Sequence, residues 1–165
     1  MKKCLLFLFT VLLCAAALAG CSRSKPDDAT LYIPPAAAWE GEAPQSVIDL
    51  LETAGYQITR TSTDPSILHG QRYHMELNGD NLHAVAVYQY ESAEMAQAEA
   101  ACIGADGYSF TFPTGEDTAQ CVEVDWVDAP HFYRDGERII LYIGQDPVLL
   151  DAFAKAWGTP IAGAE

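Results

Sequence analysis

Apolar residues in this chain fall into three patterns: one near-continuous run at the start, stripes at helical spacing, and alternations of period two. The run, Leu5 to Ala19, follows Lys2 and Lys3 and covers 15 residues. It is short for a membrane-spanning helix, which needs about 20 apolar residues, and has the charge and length of a secretory signal. From Pro44 the pattern turns helical, with Val47, Ile48, Leu50, Leu51 and Ala54 on one face and Gly55 as a stop. Tyr56-Gln57-Ile58-Thr59 reads as a short strand. Arg72 to Leu77 alternates, setting Tyr73, Met75 and Leu77 against Arg72, His74 and Glu76, and Asn78-Gly79 turns it into a returning strand over 82–90. Ser92 caps a second helix whose face carries Ala93, Ala96, Ala100 and Ile103. Residues 107–112 alternate Tyr108, Phe110 and Phe112, and 120–127 present Val122, Val124 and Trp126 on one side. A second hairpin, turning on Asp135-Gly136, joins 131–134 to 137–143. Asp146-Pro147 then starts a last helix with Val148, Leu149, Ala152, Phe153, Ala156 and Trp157 inward, stopped by Gly158.

These elements repeat their order. Helix, Gly-Tyr, strand and hairpin occupy 44–90 and again 92–143, and Ala54-Gly55-Tyr56 matches Asp106-Gly107-Tyr108. The pattern predicts an α+β fold: a mostly antiparallel six-stranded sheet with three helices packed on one face, built from two helix-plus-three-strand pseudo-repeats. The opposite face is then open, and an open face is where function can sit. Most of the aromatics on the strands belong to the core beneath the helices. Any that reach the open face make a binding patch.

The end of the first apolar run, Leu18-Ala19-Gly20-Cys21, resembles the lipobox of bacterial lipoproteins. That resemblance implies a signal peptide over 1–20 and a diacylglyceryl group on Cys21, which becomes the mature N-terminus. Two acyl chains hold a protein on a bilayer where one does not, since each buried methylene contributes about 0.8 kcal/mol. The expected location is the cell membrane, lipid-anchored and facing outside the cytoplasm. Residues 22–43, with Pro26, Pro34, Pro35 and Gly41, read as a spacer able to span roughly 25 Å as a flexible coil. Leu31-Tyr32-Ile33 and Trp39 are apolar for a free linker, so part of the spacer is expected to dock on the domain. A single compact domain over 44–165 follows.

Charge sharpens this picture. The formal charge is −14, and loss of the first 21 residues removes two lysines and no acid, giving −16. Such a surface repels phosphate backbones and anionic headgroups, so no nucleic-acid partner is expected, and the membrane is reached through the lipid alone. An envelope protein remains the expected partner type.

Cys4 and Cys14 leave with the signal and Cys21 is lipidated, so Cys102 and Cys121 are the pair in the folded part. Outside the cytoplasm they read first as a disulfide closing a loop of about 20 residues, a contribution of roughly 3 kcal/mol, with two buried thiols or a redox or metal role as alternatives. The pairing depends on an approach that sequence does not show.

Candidate chemistry is sparse. His74 and Glu76 share a strand face, and across the Asn-Gly turn His83 is expected opposite or diagonal to them, a trio able to hold zinc or a similar ion. His131 lies near Asp125, Asp128, Tyr133 and Arg134 and could serve as a general base, without a nucleophile beside it. Glu123 and Asp125 could form an acid pair. Gly-x-Ser-x-Gly, phosphate loops and zinc-protease helices are missing from the sequence. No cofactor is expected. A non-catalytic module binding through the open face and hairpin edges, with Tyr133 and Arg134 as contact residues, is the leading expectation; metal or small-ligand binding through His74, Glu76 and His83 is the alternative.

From Pro130-His131-Phe132-Tyr133 through Asp135-Gly136 and Ile139-Ile140-Leu141-Tyr142-Ile143-Gly144 to the last helix, the chain resembles small, uncharacterised lipoproteins of Gram-positive anaerobes. The resemblance implies a lipid anchor and brings no activity or ligand. Thr159-Pro160-Ile161-Ala162-Gly163 departs from the aromatic that follows the last helix in that family.

Overall fold

The computed structural model describes residues 37–61, 66–115 and 117–163. The signal, Cys21 and most of the spacer lie outside the described residues. Among those described, three helices and nine strands run in the order β1 (Ala37–Ala38), α1 (Gln45–Thr53), β2 (Ile58–Thr61), β3 (Gln71–Leu77), β4 (Asp80–Gln89), α2 (Ala93–Ala100), β5 (Ser109–Pro113), β6 (Ala119–Glu123), β7 (Pro130–Asp135), β8 (Arg138–Ile143), α3 (Pro147–Trp157) and β9 (Ala162–Gly163).

Local chemistry accounts for the hairpins and helix ends. Asn78 and Gly79 both take positive φ, 55° and 70°, the backbone of a two-residue turn matched to the twist of its strands. The Ser92 side chain accepts from the Met95 N–H at 3.2 Å, and Asp146 accepts from the Val148 N–H at 2.8 Å ahead of Pro147 in the first turn. Leu149 and Phe153 on α3 are completely buried, each contributing about 2–3 kcal/mol of transfer free energy.

The main sheet has the two hairpins joined at its centre, β3-β4-β8-β7, with β4 and β8 antiparallel. Along the outer edge of β3, β2 pairs antiparallel with 74–77 and β1 pairs parallel with 71–72. The spacer therefore docks at its C-terminal end, where Trp39 meets Tyr73 edge-on at 5.4 Å between ring centroids. On the far side β9 adds to β7, so residues after the last helix close the sheet's other edge. Gly163 is required there, because a Cβ would lie 2.0 Å from the Pro130 carbonyl oxygen.

The α+β class and the largely antiparallel pairing hold, but the helices divide between the two faces. Val47 and Leu51 of α1 and Leu149 and Phe153 of α3 share one core with Tyr73, Met75, Val85, Val87, Ile140 and Tyr142. Ala96 of α2 packs into a second core on the opposite face, with Ala86, Tyr88, Phe132, Ile139 and Leu141 and with Phe110 and Val122 of the β5–β6 ribbon. The pseudo-repeat is correspondingly incomplete. β2 stays in the main sheet, whereas β5 leaves it to pair with β6 as a separate two-stranded sheet. The reason is burial on both faces: alternate residues of β4 and β8 are apolar on each side, so one layer of helices cannot cover them.

Cys102 and Cys121 are free, and the expectation of a disulfide between them is corrected. Ile103 bridges Phe110 antiparallel, which brings Cys102 beside Thr111, whose N–H donates to the Cys102 carbonyl at 2.8 Å. Thr111 in turn faces Cys121 across the β5–β6 pair. A strand thus stands between the two cysteines, and two strand spacings of about 4.8 Å exceed the roughly 7 Å that a bridge tolerates.

Candidate functional site

Part of the second face is left uncovered by α2 and the β5–β6 ribbon. A cavity of about 160 Å³ lies there, lined by Arg72, His74, Ala84, Ala86, Tyr88, Trp126, Leu141 and Ile143. Its origin is in the cross-strand rows. His74 pairs with Ala86 and Ala86 with Leu141; in the next row Glu76 pairs with Ala84 and Ala84 with Ile143. Two alanines on the central strand thus sit between longer neighbours, and the missing side-chain volume is the cavity. Ala84, Ala86, Tyr88 and Leu141 form a buried floor, while Arg72, His74, Trp126 and Ile143 make a half-buried rim.

The polar groups of the rim are held in place. His74 Nδ1 is 2.7 Å from Thr61 Oγ1, and burial, with a smaller contribution from the Arg72 charge, lowers the imidazole pKa to about 4. The ring is therefore neutral at pH 7. The Tyr88 hydroxyl shares hydrogen bonds with Ser66 and Arg72, and burial raises its pKa. Trp126 is fixed from behind, its indole N–H donating to the Gly107 carbonyl at 2.8 Å and its ring edge-on to Phe110 and Phe132.

The trio expected to bind metal is not brought together. An unshifted Asn-Gly hairpin would set His83 opposite His74, but the β3–β4 register slips by three residues between Leu77 and Glu76, so that Ala84 faces Glu76 and Ala86 faces His74. An odd slip flips the side chains to the other face of the sheet. His83 accordingly turns to Asp80, with Nδ1 2.8 Å from its carboxylate, and its Nε2 is 3.8 Å from Asp128. Among the described residues no three His, Cys, Asp or Glu side chains could hold a metal ion.

The contact pair is corrected as well. Tyr133 is 1% exposed and packs against Phe153 and Trp157, so it belongs to the core; Arg134 alone of the two is at the surface. Tyr133 shares its face with His131, and both β7 neighbours are covered by α3 or β8 side chains. His131 is 4% exposed and stacks on Tyr142 at 5.9 Å, leaving no room for a substrate at the ring. Its neighbour Asp128 accepts from Gln145 at 2.6 Å and from the Ala129 N–H at 2.7 Å, and these bonds hold its pKa below the usual carboxylate range. The Tyr56 hydroxyl donates to Asp146, which ties α1's exit to the α3 cap. Glu123 and Asp125 are exposed.

Sequence reasoning placed Arg72 and His74 together on the strand face away from Tyr73 and Met75. It missed Ala84 and Ala86 as the floor. The available signal was the alternation of Ala with Val in 84–87, small residues on one face of a central strand. Trp126 could not be assigned without knowing where the β5–β6 ribbon folds.

The chain matches no known protein family, no curated protein and no solved structure. Among the described residues no helix is long and apolar enough to cross a membrane.

Proposed function

We propose that the chain is a lipoprotein anchored through Cys21, facing outside the cytoplasm, whose folded domain binds a ligand or partner without transforming it. The observation that carries the binding part is the cavity on the second sheet face, with its buried alanine floor and its rim of Arg72, His74 and Trp126. Apolar concavities with a few convergent polar groups are the usual form of a binding site. The anchor part is supported by Lys2-Lys3, the apolar run and Leu18-Ala19-Gly20-Cys21, and by the resemblance to small lipoproteins of Gram-positive anaerobes.

The anchor is tested by growing cells that express the protein with labelled palmitate. Label in the protein and its recovery with membranes, both lost in Cys21→Ala, are expected. Label that persists in Cys21→Ala overturns the lipidation site, and an unlabelled, released wild-type protein overturns the anchor. The binding part is tested by photo-crosslinking from position 126 in intact cells. A specific adduct that disappears when Ala86→Leu fills the cavity supports it, and an adduct indifferent to that change removes the cavity from the reading.

A further inference from the structure

We infer that the cavity beside Trp126 takes a free small molecule whose body is one apolar ring or branched chain of about six or seven carbons; the inference rests on the binding reading above and names the class of its ligand. Size is the first ground. The volume of about 160 Å³ is close to that of an apolar cavity that accepts one benzene ring. Ala84, Ala86, Tyr88 and Leu141 at the floor are each at most 5% exposed, so only a body that enters past Arg72, His74, Trp126 and Ile143 reaches them.

The surface that such a body meets is the second ground. Ala84, Ala86, Leu141 and Ile143 offer it methyl groups, and the space above the two alanines is set by their cross-strand pairing with Ile143 and Leu141. The Trp126 indole is fixed before any ligand arrives. Its N–H donates to the Gly107 carbonyl at 2.8 Å, and its ring lies 6.4 Å from Phe110 and 6.3 Å from Phe132, edge-on to both. A preformed wall spares the ligand the cost of ordering a side chain.

The polar groups of the described lining are the third ground, because they are engaged within the protein. His74 Nδ1 is 2.7 Å from Thr61 Oγ1, and the ring is neutral at pH 7. Arg72 and Ser66 both hydrogen-bond to the buried Tyr88 hydroxyl. The one donor of the Trp126 ring is spent on Gly107. Affinity therefore comes from the apolar area removed from water rather than from a polar or ionic contact.

The test uses the full chain, reconstituted in lipid nanodiscs and labelled at Ala, Leu and Ile methyls, since Ala84, Ala86, Leu141 and Ile143 report from the cavity itself. Toluene, phenol and mesitylene are titrated, each at its measured free concentration so that uptake by lipid is discounted. Toluene is expected to shift those methyls saturably. Phenol, of the same size, should bind about tenfold weaker, since a buried hydroxyl that gains no partner forfeits its hydration. Mesitylene, whose three methyls widen the ring in every in-plane direction, should give no saturable shift. In Ala86→Leu the toluene shifts at Ala84, Leu141 and Ile143 should require at least about tenfold more toluene, because the cavity is filled. The comparison of the three probes on the unaltered protein stands even if that variant fails to fold. Phenol binding as tightly as toluene overturns the apolar assignment, and mesitylene binding as tightly overturns the size limit; either result leaves the cavity as a binding site. No shift with any of the three overturns the ligand class, while photo-crosslinking from position 126 decides the binding reading separately. A crosslinked protein that is lost in Ala86→Leu keeps that reading and overturns the small molecule in favour of a partner.

Discussion

The two faces of the sheet are built on the same strands and packed differently. Beneath α1 and α3 every inward position is large: Met75, Val85, Val87, Ile140, Tyr142 and Phe153 are each at most 1% exposed, and Tyr142 and Phe153 meet edge-on at 5.4 Å. On the other face Ala84 and Ala86 take the central places, a two-stranded ribbon replaces one of the helices, and a cavity remains. Packing to near-crystalline density makes the first face a structural one, with no space to lose. The second face forgoes contacts that larger residues at 84 and 86 would make, although Tyr88, Phe110, Phe132, Ile139 and Leu141 still give it a buried core of its own. The filled face and the face that holds the cavity thus lie on opposite sides of a single sheet.

That division is easiest to break on the filled face. Phe153→Ala is expected to cost about 3–5 kcal/mol in urea denaturation, since it removes a wholly buried ring that touches Tyr133, Tyr142 and Trp157. A loss under about 1 kcal/mol would show that α3 is not the principal cover. Adjacent positions on β4 sharpen the contrast further. Val87→Leu pushes into the filled face and should cost about 1–3 kcal/mol, whereas Ala86→Val adds its methyls to the cavity and should be neutral or stabilising by up to about 1 kcal/mol. Equal costs at 86 and 87 would mean that both faces are tightly packed.

Acid provides an effect confined to the face that holds the cavity. The His74 ring has a folded pKa of about 4 against 6.5 when free, so the unfolded chain binds the extra proton between those values. Stability from this group is complete above about pH 6.5 and is lost as pH falls toward 4. His74→Gln should flatten the stability profile within that window, and an unchanged slope would place the titration elsewhere. The smallest expected effect is that of a reductant. Dithiothreitol should leave Tm unchanged, where loss of a bridge closing this loop would cost about 3 kcal/mol.

Much of this architecture is legible along the chain because it is local. Asn78-Gly79 and Asp135-Gly136 give their turns, Ser92 and Asp146-Pro147 give their helix starts, and the Tyr73, Met75, Leu77 alternation marks the buried side of β3. The register slip between Glu76 and Leu77 is not local. It depends on β4 meeting β8 as well as β3, and it separates His83 from His74 and Glu76. The placement of α2 is equally hidden, since an alanine stripe packs on either face and nothing within 92–104 selects one.

What the sequence determined by itself, then, is the set of elements, their ends and the class they assemble into, because caps, turns and side-chain periodicity act over a few residues. Only the tertiary structure decided which face each helix covers, that Tyr133 is core, that a strand stands between Cys102 and Cys121, and that two alanines open a cavity beside Arg72 and Trp126. Those outcomes depend on which distant strands pair and how much volume remains between them, and both are properties of the assembled sheet.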